Sequence, residues 1–231
     1  MMRRILQIRL RLMAAIAAFL LIPMLLPSPL LAQAPDAVVA RVQAVYDRPG
    51  GFKAWFRQET RQKGQAQGER AEGWMYFQKP SRMRWQYETP PEQKKEVVAD
   101  GRQVWIYLPQ DAVVMIYPLS QVLRSDLVMR FFSGIGQVRQ EFNLSWERPP
   151  SPGSSYVVKL IPKKPQAELQ QLILTIQPHS YLVENLEFTN SLGEETRFAF
   201  SQTTLEIKVP SDFFTFKTPP GVREVRESGG R

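Results

Sequence analysis

Side chains able to do acid–base, nucleophilic or metal chemistry are few in this 231-residue chain. Its one histidine, His179, sits between Pro178 and Ser180 in a stretch that reads as a turn, so a solvated imidazole is expected there. Glu141 and the pair Glu194–Glu195 read as solvated acids, with no base or nucleophile spaced to work with them. Cysteine is absent, which removes thiolate catalysis, disulfides, cysteine-bound metals and lipid attachment through a cysteine. No G-x-S-x-G elbow and no phosphate-binding glycine loop occurs. The sequence therefore predicts no catalytic residue, no metal and no cofactor, and its weight falls on binding.

What the chain has instead is broad apolar surface. The stretch GWMYFQKPSRMRWQYETP, residues 73 to 90, is dense in Trp, Tyr, Phe and Met. With a period of two, Met83, Trp85 and Tyr87 share one face and Arg82, Arg84 and Gln86 the other. Met75 and Phe77 oppose Trp74 and Tyr76, so the preceding strand is apolar on both faces. Before it, FKAWFRQET alternates Phe52, Ala54 and Phe56 against Lys53, Arg57 and Glu59, and RQKGQAQGER reads as a long polar turn. KKEVVADGRQVWIYLP is a hairpin about Asp100-Gly101. AVVMIYPL follows, and then strand upon strand from Phe142 to a last piece, FFTFKTPP. Two helices are expected: one capped by Asp36, with Val38, Val42 and Val45 at helical spacing, and one over SDLVMRFFSGIG, capped by Ser125. The fold class is mainly β, with ten or eleven antiparallel strands and two helical insertions.

The first residues have the form of an export signal. Arg3, Arg4, Arg9 and Arg11 precede an apolar run, Leu12 to Leu26, broken by Pro23, and Ala32-Gln33-Ala34 gives a small-x-small cleavage pattern. The run falls short of the ~20 residues that span a bilayer. Residues 1–34 are expected to be removed, with a cut after Ala32 as the alternative, leaving 35–231 as one domain. The formal charge of +8 includes the four leader arginines, and the remaining acids and bases are interspersed. A nucleic-acid partner, which needs clustered cations, is not expected.

Four spacings occur together: F-x-A-x-F-x-Q at Phe52, Ala54, Phe56 and Gln58; G-W-M-Y-F-Q-K-P followed by R-x-R-W at Arg82 to Trp85; D-G-x-x-V-W-x-Y at Asp100 to Tyr107; and F-T-F-K-T-P-P-G-V at Phe214 to Val222. In this order and with the signal sequence, the chain resembles the periplasmic outer-membrane lipoprotein carrier (LolA) family over nearly all of its processed length. The resemblance implies an incomplete antiparallel β-barrel whose concave apolar face is covered by helices. It implies a soluble periplasmic monomer, without enzymatic activity or cofactor. Such a carrier takes outer-membrane lipoproteins from an inner-membrane ABC releasing complex, shields their acyl chains and passes them to an outer-membrane receptor.

Carried onto this sequence, the resemblance makes Phe52, Phe56, Met75, Phe77, Met83, Trp85, Tyr87 and Met115 candidates for a lipid-binding cavity. Val38, Val42 and Val45, with Leu127, Val128, Phe131 and Phe132, are candidates for a lid, and flexible methionines, Met129 among them, suit cargo of varied shape. The family often carries an arginine before the proline of the second strand that latches the lid. Here the position is Lys79, which lacks the planar guanidinium fork, and Arg82 or Arg84 are substitutes to consider. The alternative reading is a periplasmic regulator that senses lipid or lipoprotein on the same half-barrel. An outer-membrane receptor would need a lipidated cysteine, and an envelope-lipid enzyme a nucleophile with its base.

Overall fold

The computed structural model describes residues 33–125, 128, 131–132, 138–165 and 167–226. A helix, α1 (Pro35–Tyr46), precedes strands β1 (Phe52–Arg61), β2 (Glu69–Gln78), β3 (Arg82–Thr89), β4 (Lys95–Asp100), β5 (Gln103–Leu108) and β6 (Val113–Pro118). Short helices α2 (Leu119–Ser125) and α3 (Val138–Glu141) follow. Then come β7 (Phe142–Trp146), β8 (Tyr156–Pro162), β9 (Gln171–Ile176), β10 (Val183–Thr189), β11 (Glu195–Leu205) and β12 (Arg223–Arg226). All twelve strands form one open sheet in the order β12-β6-β5-β4-β3-β2-β1-β11-β10-β9-β8-β7. The ladder is antiparallel throughout except for β12, which runs parallel to β6.

The sheet has twelve strands where ten or eleven are expected, and its last strand lies beyond the expected one, because FFTFKTPP is not a strand. Residues 213–220 cross the sheet's outer face as an irregular strap, and pairing resumes only at Arg223, whose N–H donates to the Ala112 carbonyl. Helix α2 starts at Leu119 and has Ser125 as its last residue, and most of the segment expected to follow as a helix lies outside the described residues. Asp36 is not the cap of α1. Pro35 holds the first position, Ala34 flanks it, and Asp36 places its charge in the first turn, where the helix dipole favours it.

Ladder register divides the sheet cleanly into two faces. Cross-strand partners share a face, so Phe56 with Phe200, Phe77 with Met83, and Ile106 with Met115 all look inward. The inner face packs around Phe52, Phe56, Met75, Phe77 and Met83, every one of them buried, and α1 adds Val38, Val39, Val42 and Tyr46. Gly51, at φ +74°, makes the turn from α1 into β1; a Cβ there would lie 2.0 Å from the Phe77 carbonyl oxygen.

The apolar outer face of β2 has its own partner. Trp74 stacks edge-on with Trp55, and Tyr76 meets Phe213 of the strap at 4.8 Å between centroids. Farther along, Phe216 lies 5.5 Å from Tyr107 and 6.5 Å from Trp105. Val98, the register partner of both Arg84 and Trp105, falls between these anchor points and is fully buried. Arg84 fixes the strap by donating to the Phe213 carbonyl at 2.6 Å while its Nε bonds Glu96, also at 2.6 Å. Arg84 therefore holds the strap on the outer face and is removed as a candidate latch for the inner one; Arg82 is exposed.

Candidate functional site

The inner face changes character along β1. Phe52, Ala54, Phe56, Gln58 and Thr60 all point inward, as the period of two requires. The first three are buried under helical cover, and the last two open into a cavity of about 610 Å³. That volume falls within the range of about 300–1,000 Å³ common for small-molecule sites. Trp85, Tyr87, Val97, Ile106, Phe188 and Phe198 give it an apolar wall, and Val122 and Val128 approach from the helical segment after β6.

At the other end, α1 closes the face with an aromatic knot. The Tyr46 ring sits 4.8 Å from Phe52 and 5.1 Å from Phe132, and Phe132 is 5.0 Å from Phe52 and 5.6 Å from Phe200. The Tyr46 hydroxyl accepts the Val183 N–H at 3.1 Å, tying the end of α1 to the start of β10. Burial pushes this phenol up to about 12, with the Val183 contact acting weakly the other way.

The predicted residues thus fall into distinct positions. Trp85 and Tyr87 line the cavity. Phe52, Phe56, Met75, Phe77 and Met83 form the packed floor beside it, with no accessible surface beyond 2%. Met115 is half-buried on the inner face, its thioether facing the hydroxyl of the cavity-lining Tyr117 at 3.5 Å. Val38, Val42, Val45, Val128 and Phe132 are buried and Phe131 is half-buried, while Leu127 and Met129 lie outside the described residues. The Lys79 ammonium pairs with the carboxylate of Asp47, the residue that ends α1. His179 is an exposed turn residue, and Glu195 pairs with Arg61 on the surface.

A polar chain in the cavity was not singled out by the sequence reading. Tyr87 donates its hydroxyl to Gln58 Oε1 at 3.0 Å, Gln58 Nε2 donates to Thr60 Oγ1 at 3.2 Å, and Thr60 and Thr196 hydroxyls lie 3.2 Å apart. The signal was available: continuing the alternation of β1 past Phe56 puts Gln58 and Thr60 on the inner face. Thr196, the register partner of Thr60, needed the β1–β11 pairing to be known. Against Tyr87 on its other side, in a neighbouring groove, lies Lys95, its ammonium 4.3 Å from the ring centroid and its pKa lowered by burial, with Glu69 opposing. Among the described residues no cluster of three or more His, Cys, Asp or Glu is placed to hold a metal.

A sequence profile of the family described as outer membrane lipoprotein carrier protein LolA matches residues 49–217. An outer-membrane lipoprotein carrier protein of Chromohalobacter salexigens is 28% identical over 202 residues, 87% of this chain and 92% of that one. One from Nitrosomonas europaea is 28% identical over 203 residues, 88% of this chain and 94% of that one. In fold, the chain is similar to an uncharacterized conserved protein of Thermus thermophilus. That comparison has a TM-score of 0.54 and 12% identity, and covers 82% of this chain and 97% of that one. The profile match spans most of the sheet, from the turn before β1 to the strap, and on it the chain belongs to the outer-membrane lipoprotein carrier (LolA) family.

Proposed function

We propose that this chain is a lipoprotein carrier of the periplasm. It shields the acyl chains of outer-membrane lipoproteins, receiving them from an inner-membrane ABC releasing complex and giving them up to an outer-membrane receptor. It acts as a monomer and without catalysis, and residues 1–34 serve as the export signal. The observation that carries this reading is the apolar inner face, part cavity and part packed floor, on which the short helix α1 sits as a cover. Among the described residues no helix is long and apolar enough to cross a membrane.

In this reading the cavity is the entry for cargo, and α1 with Phe132 is the lid over the floor. Burying an acyl chain stabilises the complex by about 0.8 kcal/mol per methylene. Displacement of α1 exposes Phe52, Phe77 and Met83 as further lining. Lys79 holds the lid weakly through Asp47, since an exposed pair contributes about 0–1 kcal/mol. The test is release of tagged outer-membrane lipoproteins from spheroplasts by the purified protein, followed by copurification. A protein that takes up free fatty acid yet leaves every lipoprotein in the membrane is not a carrier.

A further inference from the structure

The polar chain in the cavity is out of place in a container for hydrocarbon. Burying hydroxyls and an amide is unfavourable unless they are bonded, and four apolar side chains would fill the same wall at no such penalty. Counting protons shows what the chain offers. Tyr87 brings one, the Gln58 amide two, and Thr60 and Thr196 one each; the three observed bonds use three of these. One amide proton of Gln58 and one threonine hydroxyl proton remain, both directed from inward-facing positions of β1 and β11. Two such donors, the Gln58 amide on β1 and a hydroxyl of the Thr60–Thr196 pair that joins β1 to β11, match a ligand with two neighbouring carbonyl acceptors attached to apolar chains.

The charge of the cavity narrows the class. Glu194 is the one charged side chain among its described lining residues, so a fatty carboxylate or a phosphate meets repulsion there, whereas a neutral acceptor does not. Gln121 and Tyr117 complete the polar lining. We infer that Gln58, Thr60 and Thr196 form a seat for the paired ester carbonyls of a neutral diacylglyceryl group. The cavity then selects ester-linked chains, and places the glyceryl unit at the Gln58–Thr196 end with its tails toward Trp85 and the floor. The inference rests on the carrier reading and adds to it the part of the cargo that is recognised by hydrogen bonds.

The experiment compares two synthetic probes with identical sixteen-carbon chains, an S-(dipalmitoylglyceryl)cysteine peptide and its dihexadecyl ether analogue, by calorimetry on the purified protein, with palmitate as a third ligand. The wild type is expected to bind the diester about tenfold or more tightly than the diether, the order expected when satisfied donors lose their acceptors. In Thr60→Val, Thr196→Val and Gln58→Leu the diester-to-diether affinity ratio falls toward one, which a loss of apolar packing alone would not produce. Equal binding of the two probes by the wild type overturns the ester seat and leaves the carrier reading standing. Failure of both two-chain probes to bind overturns the carrier reading itself, and palmitate outcompeting the diester overturns the charge argument. The wild-type ratio decides the matter even if a variant folds poorly.

Discussion

If α1 is a lid, as proposed, Tyr46 is where it can be loosened without emptying the interior. Tyr46→Phe keeps the ring that packs on Phe52 and Phe132 and removes only the oxygen that accepts the Val183 N–H. That N–H is then buried without a partner, which costs about 1–3 kcal/mol. If α1 leaves the sheet when cargo enters, the same loss favours the open state. A lid that opens more easily raises the competent fraction, and apparent affinity rises in proportion. Each 1.4 kcal/mol is about tenfold, so acyl-chain affinity should increase about 5- to 100-fold while the melting temperature falls. The phenol adds a control. Its folded-state pKa of about 12 lies above the ordinary 10.0, so the unfolded chain ionises first and stability drains away as pH rises from about 10 to 12. This contribution is present in full below pH 10 and absent from the phenylalanine variant, whose deficit relative to wild type should shrink across that window. Fluorescent fatty-acid titration and pH-resolved chemical denaturation measure both effects. A variant that melts lower yet binds no more tightly refutes displacement of α1 by cargo.

Gly73→Ala should destabilise by more than about 2 kcal/mol in urea titration, beyond any propensity effect. The new Cβ would lie 1.8 Å from the Gln86 carbonyl oxygen at the β2–β3 register shift, and both are backbone-fixed. Met83→Glu should abolish cooperative unfolding, because a carboxylate would enter a site with no accessible surface. A folded Met83→Glu protein with weakened cargo binding would instead mark this stretch of floor as open to solvent. Lys79→Ala should shift stability by less than about 1 kcal/mol and cargo affinity by less than about fivefold, since its pair with Asp47 is exposed. Phe213→Ala should lower stability by about 2–4 kcal/mol through the loss of packing on Tyr76 and Arg84, with acyl-chain affinity unchanged.

How far the sequence was readable follows from how local each constraint is. The alternation of Phe52, Ala54 and Phe56, and of Met83, Trp85 and Tyr87, is set by the strand's own period, so the inner face could be assigned without the structure. The double-sided apolarity of β2 was visible too, but its cause was not. Trp74 packs on its strand neighbour Trp55, but Tyr76 is covered by Phe213, more than 130 residues away in sequence, and no period records such a contact. FFTFKTPP alternates like a strand, yet it lies flat across the sheet with Phe213 and Phe216 anchored in rings. Arg84 could be placed on the outer face by parity, but only the strap explains what it holds. The cavity's polar chain was half legible, since Gln58 and Thr60 continue a local pattern whereas Thr196 joins them through pairing of the first strand with the eleventh.

Energetics explain why a carrier would keep its interior so full. A sixteen-carbon chain buried completely gains about 12 kcal/mol at about 0.8 per methylene, enough to make release negligible on its own. Val38, Val39, Val42, Tyr46 and Phe132 now occupy the inner face and are each at least 92% buried. At roughly 1.5–3 kcal/mol per fully buried apolar side chain, their removal to water costs about 7–15 kcal/mol. For a single inserted chain the two quantities nearly cancel, so its loading would exchange one apolar occupant for another, with small terms deciding the direction. In the proposed exchange the Tyr46–Val183 bond and the Lys79–Asp47 pair would oppose loading, whereas hydrogen bonds to Gln58, Thr60 and Thr196 would favour it only for a ligand that brings carbonyls. A poised exchange of this kind would let a partner protein reverse the balance with a few kcal/mol of contact, and it would make the bonds of Tyr46 and Gln58, rather than total apolar area, the sites where affinity is set.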